Sequence, residues 1–503
     1  MLFNSLSYLL FFPAVVLLYY LIPWQRARNG MLLIASYYFY MCWDPRFILL
    51  MLGCTAITYL CGRFVDIAKR EEEAGVSPEK RHTGRATLYT AVTLVFVLAV
   101  LAWFKYANFL TETLAALLGV LGVRWEIPRF NVALPVGISF FTFQSLGYVI
   151  DVYRGNTPVE KNFFRYALFV SFFPQLVAGP IERSNNLLSQ FSERHSFDVD
   201  NAVKGAMLML WGYFMKVVIA DRVAILVDQV YNYYGSYQGA IPMLATALFA
   251  VQIYCDFNGY TTIAIGSAQV LGFRLMQNFQ QPYLAESVAD FWRRWHISLT
   301  SWFRDYIYFP LGGSRCSRWK RYRNILTVFL VSGLWHGAAW TYVVWGGLNG
   351  LFQIVGDLLK PLRARTLQAL RIEPSSFGHR LVRRLLTFFL VDLAWTFFRA
   401  PTMHAALAII RSSFTVFNPW VLFDGTLYTL GLSAVDFWVM VASLAVLLGV
   451  DLLHLRGVRI RERLLRQPLP VRWAVCYGAL LAVLIFGVYG PAYDAASFIY
   501  FQF

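Results

Sequence analysis

Apolar residues come in long runs divided by short polar stretches. The runs cover 5–22, 30–43, 46–66, 87–106, 108–122, 134–153, 163–178, 205–228, 240–272, 324–356, 380–400, 404–418, 433–455 and 472–494. A helix needs about 20 apolar residues to cross the hydrocarbon core of a bilayer. Runs 30–43 and 404–418 are short for that purpose, whereas 240–272 and 324–356 are long for one straight crossing. Broken or re-entrant helices are therefore expected, which a membrane tolerates only where protein buries them or a cavity is lined. The pattern predicts an all-α polytopic membrane protein with roughly ten to thirteen crossings.

The longest polar stretches, 66–85 and 181–203, leave no room for a soluble catalytic domain, and no internal repeat or Gly/Pro/Ser-rich linker divides the chain. It reads as one membrane domain over 1–503, its motifs concentrated in 134–356. Met1 to Ser5 carries no positive charge, so the first run reads as a retained span rather than a cleaved leader.

Composition agrees. Of 503 residues, 58% are hydrophobic and only 14% charged, against about 25% charged in soluble domains. There are 44 Lys+Arg against 28 Asp+Glu, a net charge of +16. The excess sits between apolar runs, as the positive-inside bias requires. No basic domain stands apart, so nucleic acid is not an expected partner. Arg26 and Arg28 are expected on the cytoplasmic side, which puts the N-terminus outside and 66–85 inside. The six cysteines show neither CxxC nor metal-ligand spacing, and no metal site is expected.

Ionisable groups inside apolar segments mark functional sites by default. Of seven histidines, His82, His195, His379, His404 and His454 lie in or beside polar segments. His296 and His336 do not. His336 lies about 12 residues into the 324–356 run, ~18 Å along a helix at ~1.5 Å per residue. Gly333 and Gly337 flank it and would let the backbone bend and a substrate approach, while Trp335, Trp340 and Trp345 could wall the site. The bland alternative is a core histidine bonded to a backbone carbonyl.

His296 lies in a stretch, 290–305, that reads as one helix. Helical spacing puts Trp292, His296, Leu299 and Phe303 on an apolar face and Arg294, Ser298, Ser301 and Asp305 on a polar one. Such a helix suits an interface or a protein cavity. Arg293 and Arg294 could receive a cofactor's phosphates or anchor to lipid head groups. Asp256 and Asn258 interrupt another apolar run. Asp256 needs an Arg, His or hydroxyl partner, either to orient an imidazole or to lock helices together. HExxH, GxxxxGK[ST] and GxSxG are all absent from the sequence. A buried histidine without a fixed nucleophile suits general-base work on a hydroxyl supplied by substrate.

Several motifs stand in order: Leu134 to Phe143; Phe173 to Ile181; Cys255 to Tyr260; the run from Asp290 through Trp295-His296 and Trp302 to Asp305, then Tyr308-Phe-Pro-Leu-Gly-Gly313; and Gly333-Leu-Trp-His336-Gly-Ala-Ala-Trp340 with Trp345-Gly346-Gly347. Together they resemble the membrane-bound O-acyltransferases (the MBOAT family). The likeness is greatest to the bacterial branch that acetylates alginate and peptidoglycan. It implies a helical bundle with re-entrant or interfacial helices around a central tunnel, in the bacterial inner membrane. It implies His336 as the catalytic histidine and His296 as the second characteristic one; beside them, Asp305 and Ser332 are expected to support the site. The implied donor is an acyl thioester, acetyl-CoA or an acyl carrier, with no permanently bound cofactor. The implied partners are the lipid membrane, a periplasmic acetyltransferase and a polysaccharide acceptor. One departure stands out: Asn258-Gly259-Tyr260 is followed by Thr261-Thr262, where close relatives carry an acidic residue. The competing classes are a transporter or channel, which would show inverted repeats, and a non-catalytic subunit of a polysaccharide secretion complex.

Overall fold

A computed structural model describes residues 1–75, 84–123, 130 and 133–489. His82 and the end of the 472–494 run lie outside the described residues. All regular structure among the described residues is helical. The chain divides into two compact units, Met1–Ala206 with Ala264–Met276, and Met207–Ile263 with Gln277–Phe503.

The first unit contains α1 (Leu6–Leu21), α2 (Gln25–Met41), α3 (Phe47–Gly75), α4 (Gly84–Val120), α5 (Ile138–Arg154), α6 (Phe163–Ser171), α7 (Phe173–Leu176), α8 (Ser184–Gln190) and the start of α9 (Val199–Tyr213). The Ser5 hydroxyl accepts the Tyr8 N–H at 3.2 Å and starts α1, satisfying one orphan donor of its first turn. Runs 87–106 and 108–122 fuse into the single α4, because neither Gly nor Pro stands between Gly84 and Gly119. Run 163–178 instead splits at Phe172, where Pro174 removes an N–H and its ring would clash with the preceding turn. Arg28, expected as a loop charge, is buried. Its guanidinium donates to the carbonyls of Ile22 at 2.7 Å and His195 at 2.6 Å and lies 5.0 Å from the Tyr19 ring centroid. It braces the interior of this unit, while Arg26 remains exposed.

The second unit takes up the end of α9, a π-helical turn (Phe214–Ala220), α10 (Asp221–Asn232) and most of α11 (Ala240–Val270). Next come α12 (Val288–Arg294), α13 (Ile297–Phe303), α14 (Arg318–His336), α15 (Trp340–Leu358), α16 (Lys360–Ala369), α17 (Phe377–Arg399), α18 (Met403–Thr415), α19 (Ala434–Leu455), α20 (Ile460–Leu465) and α21 (Leu469–Phe486). The two long apolar runs behave differently. Run 240–272 is one unbroken helix, against expectation, while run 324–356 breaks at Gly337–Ala339 into α14 and α15. A Cβ on Gly333 would meet the Tyr342 carbonyl oxygen at 2.3 Å, and one on Gly346 the Phe329 carbonyl oxygen at 2.2 Å. These glycines thus bring two backbones together rather than clearing space for a substrate.

Among the described residues, five helical stretches are long and apolar enough to cross a membrane: Phe47–Glu71, Gly84–Val120, Ala240–Val270, Ala434–Leu455 and Leu469–Phe486. Large apolar side chains such as Leu484 and Ile485 on α21 point outward, at 58% and 67% exposure. An apolar surface of that kind matches lipid, not water.

Candidate active site

The sequence predicts one helix over 290–305, and the structure breaks it at His296. Ser287 caps α12 by accepting the Asp290 N–H at 3.1 Å, and the helix ends at Arg294. His296 then adopts a left-handed backbone, φ +44°, before α13 begins. Such a conformation costs a non-glycine residue on the order of 1–3 kcal/mol and persists only where surroundings impose it. The imposing element is the loop at 278–280. The Gln280 N–H donates to the Arg294 carbonyl at 2.9 Å, and the Ile297 N–H donates to the Asn278 carbonyl at 3.0 Å. The predicted burial survives the break, since Trp292, His296, Leu299 and Phe303 are all buried. Ser298, expected on a polar outer face, is buried too.

His296 is fully enclosed. Its Nδ1 stands 3.2 Å from Asn278 Oδ1, and its ring packs against Phe257 at 4.7 Å between centroids. It lies outside the five candidate spans, and burial pushes its imidazole down to about 3, so the ring is neutral near pH 7.

His336 ends α14 and is 4% exposed. The residues after it turn extended, so the imidazole stands at the tip of the α14–α15 hairpin. Trp335, Trp345 and Phe398 contact the ring at 4.9, 5.0 and 5.5 Å between centroids, and His296 lies at 6.4 Å. Trp395 stacks on Trp345 at 5.5 Å and packs on Trp295 at 5.2 Å. Trp292 ties this wall to α15 by donating to Asn349 Oδ1 at 3.1 Å. The two histidines are thus close neighbours in an aromatic enclosure built by the α12–α13 break, the α14–α15 hairpin and α17. Ser332 is buried one turn before His336, on the same face of α14. Trp340 opens α15 and is 54% exposed.

Asp256 finds a partner the sequence did not name. Lys216, in the π-helical turn, places its Nζ 2.6 Å from Asp256 Oδ1 and 2.8 Å from Asp221 Oδ1, with all three side chains at most 5% exposed. The Tyr260 ring covers the ammonium at 5.4 Å. Asp256 therefore joins α11 to the turn and α10. Asn258 accepts from the Thr262 hydroxyl at 3.3 Å and approaches Met215 Sδ at 3.6 Å, also a packing role.

The remaining sequence-derived residues lie toward the surface. Arg293 is exposed, and Arg294 pairs with Asp290 at 3.1 Å one turn back. Asp305 pairs with its neighbour Arg304 at 2.8 Å. Glu286, just before α12, gathers Arg380, Arg383 and Arg384 at 2.9, 3.2 and 3.4 Å. His195 and His379 are half-buried, and His404 and His454 are exposed. Sequence reasoning missed Lys216, Asn278, Trp395 and Phe398. A charge in the 205–228 run and aromatics closing the 380–400 run were the available signals; nothing marked Asn278.

Residues 158–382, which contain both histidines and the Lys216 cluster, match the family described as MBOAT, membrane-bound O-acyltransferase. A protein named as a probable alginate O-acetylase from Pseudomonas aeruginosa is 39% identical, covering 84% of this chain and 76% of its own length. One of the same name from Azotobacter vinelandii is 39% identical over 84% of this chain and 80% of its own. A peptidoglycan O-acetyltransferase of Helicobacter pylori is 31% identical over 82% and 79% respectively.

Proposed function

Because this chain belongs to the membrane-bound O-acyltransferase family, we propose that it carries an acetyl group from a cytoplasmic thioester to a hydroxyl of an extracytoplasmic polysaccharide. The donor in this reading is acetyl-CoA or an acyl carrier, and transfer is direct or completed by a periplasmic acetyltransferase. The chain is an O-acyltransferase of a multi-pass membrane kind. The finer reading places it in the bacterial inner membrane, with roughly ten to thirteen crossings around a tunnel that joins donor and acceptor sides. Alginate or a similar exopolysaccharide is the acceptor that the relatives' names favour.

The observation that carries this proposal is the pair of enclosed imidazoles, 6.4 Å apart between centroids, with His336 at the tip of a backbone-packed hairpin. His336 accepts the proton of the acceptor hydroxyl as its oxygen attacks the thioester carbonyl. A C–O bond forms, the C–S bond breaks, and the proton held by His336 passes to the departing thiolate. The aromatic wall keeps water from competing for the acyl group. His296 supports the reacting groups. Arg293 and Arg294, near the α12 terminus, serve the donor's phosphates. Labelled acetyl-CoA supplied to purified protein with an acceptor tests the reading. Transfer by wild type and its loss in His336→Ala are expected; an undiminished His336→Ala enzyme overturns it.

A further inference from the structure

Asn278 is buried at 1% exposure in the loop before α12, and its side-chain oxygen is a point of convergence. Oδ1 lies 3.1 Å from the Ser298 backbone nitrogen, 2.9 Å from Ser298 Oγ and 3.2 Å from His296 Nδ1. A backbone N–H can only donate. The atom facing Ser298 must therefore be the amide oxygen, because turning the amide over would set an NH2 group against an N–H. An amide oxygen only accepts, and the Ser298 hydroxyl stands closer to it, at 2.9 Å, than to His296 Nδ1, at 3.5 Å, so the 3.2 Å contact is best met with the His296 proton on Nδ1. The neutral ring has one such proton, and Nε2 then holds the lone pair.

We propose that Asn278 is the positioning residue of His296, holding it as the Nδ1–H tautomer with Nε2 left as a hydrogen-bond acceptor. This rests on the acyl-transfer reading above. The same geometry fixes the rest of the hinge: the Asn278 carbonyl takes the Ile297 N–H at 3.0 Å, so one residue sets both the tautomer and the backbone around the ring. It also assigns a direction. An unprotonated Nε2 cannot stabilise a developing oxyanion, which needs donors, so the oxyanion is held by other groups, and the attacking hydroxyl gives its one proton to His336.

The test uses the full-length protein in nanodiscs, labelled with 15N-histidine, with His296→Gln to assign the His296 signals. Wild type should show a protonated Nδ1 and a bare Nε2. Asn278→Ala should give mixed tautomers, and Asn278→Asp, which keeps an acceptor oxygen, should restore the single Nδ1–H form. In the acetyl-transfer assay, Asn278→Ala should lower kcat at least about tenfold, a part of the roughly 10²–10⁴ that one positioned acid–base group contributes, with the donor KM unchanged. Wild-type His296 protonated at Nε2, or an Asn278→Ala protein with wild-type tautomer and kcat, overturns the inference. The labelled-histidine readout needs no turnover, so this failure is distinct from an active His336→Ala enzyme, which removes the acyl-transfer reading instead.

Discussion

Two apolar runs of equal length, 240–272 and 324–356, fold in opposite ways. The first carries Asp256 and remains one helix; the second, free of Asp, Glu, Lys and Arg, breaks beside His336. A charge inside an apolar segment therefore does not set the break. Asp256 is met by Lys216 at 2.6 Å, so α11 continues through it. At the break, Gly337–Ala339, the Tyr342 side chain takes the place a Cβ would need: one on Gly337 would lie 2.1 Å from its ring. One buried polar group locks helices together, and the other stands at a chain reversal open to chemistry.

The largest separation between them should appear in His336→Ala. Removing the proposed general base should lower kcat by roughly 10²–10⁴, about 3–5 kcal/mol, and His336→Gln, which fills most of the enclosed space, should lose as much rate while keeping its thermal unfolding temperature in detergent. Lys216→Ala should do the reverse. Stranding two buried carboxylates costs about 3–5 kcal/mol of stability, read as a lowered unfolding temperature; a Lys216→Ala protein as stable as wild type would mean the cluster is no lock. Gly346→Ala probes the hairpin itself. Overpacking there should cost about 1–3 kcal/mol and lower kcat, because the tip carrying His336 must shift. Trp340→Ala should alter stability by no more than about 0.5 kcal/mol, since the side chain is mostly exposed. Arg294→Ala should be similarly mild for stability, its pair being a partly exposed i,i+4 contact worth about 0.3–0.5 kcal/mol. A rise in its donor KM would then report phosphate binding without interference from unfolding.

The family and the two histidines were legible in the sequence because long motifs in order carry them. The burial of Trp292, His296, Leu299 and Phe303 was legible too, yet the helix that seemed to explain it is two helices. Helical spacing registers which side chains are inside, but not that a loop 18 residues away captures the backbone at His296. Lys216 was hidden for a related reason: a single lysine in an apolar run shows its purpose only beside Asp256, 40 residues later. Trp340 belongs to the same motif as His336 yet is mostly exposed, a difference in burial that the motif does not announce.

The near-contact of backbones in the α14–α15 hairpin has a thermal consequence. Where Gly333 faces the Tyr342 carbonyl and Gly346 the Phe329 carbonyl, there are no rotamers to freeze when substrates bind. Order at the hairpin tip is established when the chain folds, not during each turnover. The barrier to acyl transfer should accordingly carry little entropy loss from arranging His336, and an Eyring plot should show Gly346→Ala losing rate mainly through a more negative activation entropy.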